Sequence, residues 1–219
     1  MEAQYIEIDE NGTKFYCKDK AMTKRHRGDG PAAEYANGDK VWYLDGKCHR
    51  EDGPAVEYAD GDKEWHINGK LHRVDGAAIE CVGGTKEWFI NGKCHREDGP
   101  AVEADGDKAW YINGKFHRED GPAVECADGY KAWYINGKFH REEGPAVEWG
   151  DGYKAWYING KRHRVDGPAI VRTNGDKAWY LEGKKYTQAE FKAKMQPVKE
   201  LTVADIEKLL GHRVKIVKQ

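Results

Sequence analysis

Histidine is the residue whose type and spacing most directly suggest chemistry in this chain. Seven His residues recur in register with one another: His26, His49, His72, His95, His117, His140 and His163. Their successive separations are 23, 23, 23, 22, 23 and 23 residues. Each is followed by Arg and, three positions on, by an acidic residue. Such a row could hold metal ions or act as general bases.

The spacing argues against both roles. Stacked hairpins advance by two strands per unit, which separates equivalent His residues by roughly 10 Å at ~4.8 Å per strand. A zinc ion needs ligands at about 2 Å, so neighbouring His residues cannot share one. We interpret the row as structural: each His bonds a turn carbonyl, and the Arg pairs with an acid of its own bend, as Arg50 with Asp52.

Catalysis usually requires one singular group of residues, whereas nearly every polar residue here recurs many times. The 26 Gly residues lie mostly in turns, and no phosphate-binding G-x-x-x-x-G-K-[ST] loop occurs. We therefore predict that the chain is not an enzyme. No catalytic residue, metal site or cofactor is expected.

The period of 23 residues predicts a repeat architecture. Within each unit we predict two strands, exemplified by 55–58 and 64–67, joined by a turn at Asp60-Gly61. Asn68-Gly69 then favours a type I′ turn. The predicted fold class is all-β: antiparallel hairpins stacked side by side as a meander or solenoid, with a short C-terminal helical element.

Alternation along these strands sorts the side chains onto two faces. The predicted core is the Trp row, together with the Ile and Val rows such as Ile67 and Val56: Trp42, Trp65, Trp88, Trp110, Trp133, Trp156 and Trp179. The opposite, wet face carries Tyr and Glu rows. Because Tyr is favoured at protein interfaces, the tentative partner-binding residues are Tyr111, Tyr134, Tyr157, Glu125 and Glu148. The alternative is a plain solvated face with cross-strand Tyr packing.

The chain divides into three predicted regions. Residues 1–25 form a degenerate N-terminal cap, 26–186 the seven hairpin repeats, and 187–219 a helical tail. The tail either caps the stack or docks a partner, since the end units of a stack need a modified outer face.

Three signals define the tail. Thr187 stands three residues before Glu190, which is the spacing of a helix-capping box. A weaker cap at Thr202 begins a second helix that ends before Gly211. Residues 213–217 are predicted as a last strand.

Composition bounds the partners and the compartment. The 36 basic and 38 acidic residues nearly balance, which weighs against binding nucleic acid or anionic lipid through charge alone. No apolar run is long enough for a transmembrane helix, and the opening residues lack the pattern of a signal peptide. The five Cys residues are odd in number and sporadically placed. We expect a reduced, cytoplasmic protein without disulfides.

The order Trp, Asn-Gly-Lys, His, Gly, Asp-Gly and Trp again resembles the MORN repeat family, over residues 5–186. Here His-Arg replaces the His-Gly pair of that family, and its Tyr-x-Gly-x-Trp signature is absent. The His-Arg-Glu-Asp-Gly-Pro-Ala-Val-Glu segment is similar to repeat proteins encoded by tailed bacteriophages, as is the segment 200–211.

This resemblance implies a scaffold for protein–protein interaction. The phage likeness implies an accessory protein acting in the host cytoplasm, where it binds or inhibits a host protein such as a defence factor. Two alternatives remain open: nucleotide or nucleic-acid binding through the basic and aromatic rows, and a self-assembling structural protein that forms homo-oligomers through the stack ends.

Overall fold

The computed structural model describes residues 5–196 and 201–215. It confirms the predicted fold class: 29 short strands form successive antiparallel hairpins, followed by two helices. In chain order the elements are β1 (Tyr5–Ile8), β2 (Lys14–Cys17), β3 (Ala33–Glu34), β4 (Lys40–Val41), β5 (Tyr43–Leu44), β6 (Lys47–Cys48), β7 (Val56–Glu57), β8 (Lys63–Glu64), β9 (His66–Ile67), β10 (Lys70–Leu71), β11 (Ile79–Glu80), β12 (Lys86–Glu87), β13 (Phe89–Ile90), β14 (Lys93–Cys94), β15 (Val102–Ala104), β16 (Asp107–Ala109), β17 (Tyr111–Ile112), β18 (Lys115–Phe116), β19 (Val124–Glu125), β20 (Lys131–Ala132), β21 (Tyr134–Ile135), β22 (Lys138–Phe139), β23 (Val147–Glu148), β24 (Lys154–Ala155), β25 (Tyr157–Ile158), β26 (Lys161–Arg162), β27 (Ile170–Val171), β28 (Lys177–Leu181), β29 (Lys184–Tyr186), α1 (Gln188–Met195) and α2 (Val203–Leu210).

A typical unit contributes four very short strands rather than the two longer ones predicted. Strands such as β7 and β8 pair with each other, and β8 pairs with β11 of the next unit, so that one long sheet runs through the molecule. Strands such as β9 and β10 form a separate two-stranded hairpin. The division falls at the Trp, which lies between strands: Trp65 donates its backbone N–H to Ala78 and accepts that of His72.

The turns at the hairpin tips have the predicted geometry. Asn68 and Gly69 have φ angles of 52° and 77°, and positive φ at both central positions defines a type I′ turn. Its twist matches that of the flanking strands, which explains why Asn-Gly recurs there. Asp45-Gly46 and Glu182-Gly183 form the same turn at less favourable residues.

The strand register corrects the predicted assignment of the two faces. Val56 lies opposite Glu64, so it shares a face with residue 64 and not with Trp65. Accordingly Val56 packs with Val41 against Tyr43. The prediction that the Val row joins the Trp face is wrong because a shift of one residue exchanges the faces of a strand.

Small residues occupy the fully buried positions. The Ala immediately before the strand that follows each bend is 0% exposed in every unit: Ala32, Ala55, Ala78, Ala101, Ala123, Ala146 and Ala169. The carbonyl of six of these Ala residues accepts the backbone N–H of a Trp at 2.8 Å, as Ala123 does from Trp110. The seven Trp side chains proposed as core are half-buried instead. The backbone thus approaches too closely for a large buried side chain at the Ala.

Six of these seven Trp rings, all except Trp179, are covered by the guanidinium group of the Arg eight positions later. Arg118 Cζ lies 4.0 Å from the centroid of the Trp110 ring. Its Nε donates to Asp120 at 2.8 Å, and its Nη1 donates to the Pro122 carbonyl at 3.2 Å and to Glu125 at 2.8 Å. The predicted pairing of Arg with the acid of its own bend is confirmed at Arg50 and Asp52, whose atoms are 2.9 Å apart.

Glycine closes the other side of this arrangement. A Cβ at Gly121 would lie 2.9 Å from Arg118 Cζ, so the guanidinium is held between the glycine and the Trp ring. Five other units repeat the stacking on Trp: Arg50, Arg73, Arg96, Arg141 and Arg164. In the first unit Arg27 covers Tyr16. We call this arrangement the Arg–Trp sandwich.

The two ends of the array differ. At the N-terminal end β1 pairs with β2, and Ile6 and Ile8 are 58% and 63% exposed. At the C-terminal end α1 packs against β28 and β29, and Phe191 is 5% exposed. Helix α1 therefore covers the last hairpin.

The helical tail follows its sequence signals. Thr187 and Thr202 both form capping boxes, and Gly211 ends α2 with a φ of 73°. Residues 213–215 are not in a strand, contrary to prediction, and 216–217 lie outside the described residues. Neither helix has the length and apolar character needed to cross a bilayer.

The Arg–Trp sandwich predicts that lysine cannot replace the arginine. Arg118→Lys keeps the charge but loses the planar fork and its ring stacking, so we expect the free energy of unfolding to fall by about 1–3 kcal/mol. Denaturant unfolding measures it. Arg172→Lys is the matched control, because within the described chain the Arg172 side chain makes no hydrogen bond or ion pair. Equal stability of the two variants would contradict this role.

Candidate functional site

The seven recurring His residues link neighbouring units. In each, Nδ1 accepts a backbone N–H from the hairpin tip of the next unit, as His49 does from Asn68 at 3.1 Å. The other six bonds span 3.1–3.2 Å. The predicted bond to a turn carbonyl is wrong, because the turn presents its N–H there. In three units the same Nδ1 also lies 3.0–3.2 Å from the Oδ1 of the tip Asn.

We therefore assign the His row a structural role. Among the described residues, no group of three or more His, Cys, Asp or Glu side chains is arranged to hold a metal ion. All five Cys residues are free thiols. Burial raises the pKa of Cys48 and of Cys94 to about 12, which keeps both protonated and poorly nucleophilic at neutral pH.

One acid–base cluster departs from the repeat. His66 stands where most units have Tyr, and its Nε2 lies 2.7 Å from a Glu64 oxygen, while the Tyr58 hydroxyl donates to the other oxygen at 3.1 Å. The hydrogen bond from His66 is the first cause of the lowered pKa of Glu64. Burial is the main reason that the pKa of Tyr58 is raised to about 12. The cluster stabilises an ionised carboxylate, but it holds no activated nucleophile.

The tentative partner-binding residues do not form one surface. Glu148 bonds Arg141 at 3.1 Å, and that guanidinium lies 3.8 Å from the Trp133 ring centroid. Val147, the preceding residue in the same strand, packs against Tyr157. Because successive strand residues point to opposite faces, the prediction that the Glu and Tyr rows share a face is wrong.

The acidic members of the set are also neutralised. Glu125 bonds Arg118 at 2.8 Å and lies between Lys108 and Lys131 in the sheet register. Glu148 lies between Lys131 and Lys154 in the same way. On the Trp face these two carboxylates therefore pair with Arg side chains of the sandwich and lie between residues of the Lys row.

The three tyrosines belong to a continuous aromatic stack, which we call the aromatic ladder: Tyr111, Phe116, Tyr134, Phe139 and Tyr157. Successive ring centroids are 4.2, 4.9, 4.3 and 5.0 Å apart, with interplanar angles of 26–32°. The rings are half-buried. Burial raises the pKa of Tyr134 to about 12, so its hydroxyl remains a neutral donor and acceptor.

The ladder ends at an arginine. Arg162 occupies the position that Phe116 and Phe139 hold in preceding units. Its Nε donates to the Tyr157 hydroxyl at 3.1 Å, and its Cζ lies 5.2 Å from the Tyr180 ring centroid. No carboxylate pairs with Arg162 within the described chain.

The turns beside the ladder depart from the repeat in the same region. In three units an Asp accepts a backbone N–H from the next turn at 2.8 Å, as Asp39 does from Ala59. Tyr130 and Tyr153 replace this Asp, and Trp149 stands where four other turns have Tyr or Cys. The Tyr130 and Trp149 rings lie 4.6 Å apart. Aromatic packing here replaces a polar link between units.

Close approach of the backbone accompanies this change. A Cβ at Gly150 would lie 2.5 Å from the carbonyl oxygen of Asp128, although most other units carry a larger residue at that position. An open cleft of about 590 Å³ lies beside these turns. Tyr153, Tyr157, Trp149 and Arg172 line it.

Sequence reasoning missed the cleft residues Trp149, Tyr153 and Arg172, and also Arg162 at the end of the ladder. The available signal was their departure from the repeated unit, since each replaces a residue type found in several other units.

Acid should weaken the fold through the sandwich carboxylates. The hydrogen bond from the neighbouring Arg is the first cause of a lowered pKa at five of them: Asp52, Asp75, Asp98, Asp120 and Asp166. Because folding lowers each pKa, their stabilisation is complete above the ordinary value of 3.8 and is lost as the pH falls through the lowered values. Denaturant unfolding at a series of pH values measures the loss.

Asp98→Asn is the matched variant for this prediction. It should be less stable than the parent at neutral pH, because Arg96 loses one of its two carboxylate partners and keeps only Glu103. It should also lose less stability on acidification. A parallel pH dependence of the two proteins would contradict the assignment.

A comparison with models of known protein families finds no match to the chain, and a search of curated proteins finds no significant relative.

Proposed function

We propose that the chain is a non-enzymatic repeat scaffold that binds a protein partner through its aromatic face, defined by the aromatic ladder and the turns beside it. The observation that carries this proposal is the half-exposed ladder from Tyr111 to Tyr157. Tyrosine supplies large contact area with little loss of side-chain entropy, and its hydroxyl adds hydrogen bonds.

The opposite face is less suited to this role. Its Arg, Glu and Trp side chains already satisfy one another in the sandwich, as Arg118 and Glu125 do at 2.8 Å. A partner there would compete with contacts that hold the fold together. The aromatic face presents ring edges and hydroxyl groups backed by the buried Val and Ala rows.

Stacked rings are also a reason to favour a protein over nucleic acid. Proteins that hold single strands stack bases on the faces of aromatic rings. In the ladder those faces are covered by the neighbouring rings at 4.2–5.0 Å. The residue balance of 36 basic to 38 acidic gives no general attraction for phosphate.

The proposal extends to the origin of the protein and to the protein that it binds. On the resemblance of the repeats to bacteriophage-encoded proteins, we propose an accessory protein that acts on a host protein in the host cytoplasm, a defence factor being the specific version. This part is supported by the sequence likeness alone.

Truncating the ladder should abolish partner capture. We expect Tyr111→Ala with Tyr134→Ala to weaken capture of a host protein from lysate at least about tenfold, because interface tyrosines often contribute more than 1 kcal/mol each. The pulldown is run with nuclease, and denaturant unfolding confirms that the variant is folded. The matched control, Lys108→Ala with Lys131→Ala, truncates two side chains on the opposite face. A folded ladder variant that captures the partner normally would refute the proposed face.

Self-assembly is a second candidate, favoured by the free edge of β1. Within the described chain no strand pairs with that edge, and Tyr5, Ile6 and Ile8 are 37%, 58% and 63% exposed. An exposed apolar edge is a template for pairing with another chain. Since α1 covers the other end, the expected product is a dimer through β1 rather than a fibre.

Proline at Ile6 tests this pairing. Tyr16, opposite Ile6, directs its backbone groups to Ala32 and His26, so the Ile6 N–H faces the free edge. Ile6→Pro should therefore remove an edge donor without losing a β1–β2 bond, and sedimentation equilibrium should show monomers where the parent dimerises. Ile6→Val is the control. A parent that stays monomeric at high concentration would rule this candidate out.

A further inference from the structure

The cleft beside Trp149 differs from the rest of the array in charge. Seven Arg residues, one per bend, pair with a carboxylate of their own unit: Arg27, Arg50, Arg73, Arg96, Arg118, Arg141 and Arg164. Arg162 and Arg172 lie on the other face. Within the described chain neither pairs with a carboxylate: Arg162 bonds two tyrosine hydroxyls, and Arg172 makes no side-chain bond.

One of these two guanidinium groups belongs to the cleft itself: Arg172 lines it together with Tyr153 and Tyr157. Arg162 lies beside it, since its Nε donates to the hydroxyl of Tyr157 at 3.1 Å. The pKa of Tyr153 is raised, first by burial and then by Tyr157, while Arg162 and Arg172 oppose the rise. Asp151 also lines the cleft, but its carboxylate accepts the Tyr153 backbone N–H at 3.0 Å within its own turn.

The apolar part of the cleft is equally specific to this place. Trp149 is 48% exposed, and it lines the cleft together with Val147, Ala155, Tyr157 and Phe139. The volume of about 590 Å³ falls within the range of ligand sites, and the cleft is open to solvent. An open cleft on an extended face admits part of a longer chain.

We propose that this cleft binds a segment of the partner protein in which an aromatic or large aliphatic side chain stands next to a carboxylate. The apolar side chain would lie between Trp149 and the Tyr157 end of the ladder, and the carboxylate would pair with Arg172. A guanidinium without an acidic partner beside aromatic walls selects an anion attached to an apolar body. This inference rests on the proposed protein-binding function and names the chemistry of the bound segment.

The units that form the cleft lack a hydrogen bond that links other units, and this loss supports the same conclusion. Tyr130 and Tyr153 each replace the Asp that bonds the next turn at 2.8 Å in three other units. Thr85 replaces it in one further unit, but only Tyr130 and Tyr153 place aromatic rings there. Departures of a sequence from its own pattern are expected at functional sites. Here the departures are adjacent in space and produce one cationic, aromatic cleft.

Two blocked dipeptides provide the test: acetyl-Phe-Glu-amide and its uncharged analogue acetyl-Phe-Gln-amide. Each is titrated into the full-length protein at low salt and followed by amide NMR. We expect the Glu probe to bind about fivefold or more tightly than the Gln probe, with shifts centred on 149–157 and 172–173. Equal affinity of the two probes, or shifts confined to another face, would overturn the proposal.

Matched variants assign the preference to named residues. Arg172→Gln should abolish the preference for Glu, whereas Lys154→Gln, which removes the same charge from the opposite face, should keep it. Trp149→Ala should weaken both probes, and Tyr58→Ala, at the equivalent turn position of an earlier unit, should not. A preference that survives Arg172→Gln would refute the role of this guanidinium.

The two functional proposals fail differently. If neither probe shifts the cleft residues while a host protein is still captured through the ladder, the scaffold function stands and the proposed ligand of the cleft is refuted. If the Glu probe binds as expected but no host protein is captured, the cleft stands and the scaffold function must be revised.

Discussion

The fold depends on a guanidinium group held between a Trp ring and a glycine. Arg118 illustrates it: the ring centroid of Trp110 lies 4.0 Å on one side, and a Cβ on Gly121 would come within 2.9 Å on the other. Hydrogen bonds to the acids and to a carbonyl fix the plane of the group. Two-residue strands cannot stabilise a sheet alone, so these polar anchors take the place of a deep apolar core. The recurrence of Trp, Arg, Gly and the acidic residues in the units follows from this constraint.

The sandwich also separates the two faces of the molecule. On one face the charged groups hold successive bends in place, while alternation along the strands places the Val, Tyr and Phe side chains on the other face. Val147 and Glu148 are neighbours in one strand, yet the first belongs to the buried cluster against which Tyr157 packs and the second bonds Arg141. Side chains of the aromatic face can therefore change without loss of the anchors. The scaffold function that we propose would require this separation.

The sequence predicted the features that are encoded locally. Asn68-Gly69 encodes its own turn, Thr187 and Glu190 their own capping box, and Arg50 and Asp52 are close enough in the chain to pair. The assignment of faces depends instead on which residue lies opposite which in the next strand, and Val56 opposite Glu64 could not be read from one strand. The break at Trp65 and the N–H donors to the His row were missed for the same reason, since both depend on contacts between elements.

The cleft was beyond prediction because its residues come from different units. Trp149, Tyr157 and Arg172 lie in three separate segments of the chain. Taken singly, each is indistinguishable from a tolerated substitution in a repeat. Stacking the units superposes equivalent positions on neighbouring turns, so that departures spaced about one period apart become neighbours. A repeat array thus gains a singular site only by breaking its own pattern in consecutive units. The positions that break the pattern, rather than those that follow it, are where specificity for a partner can reside.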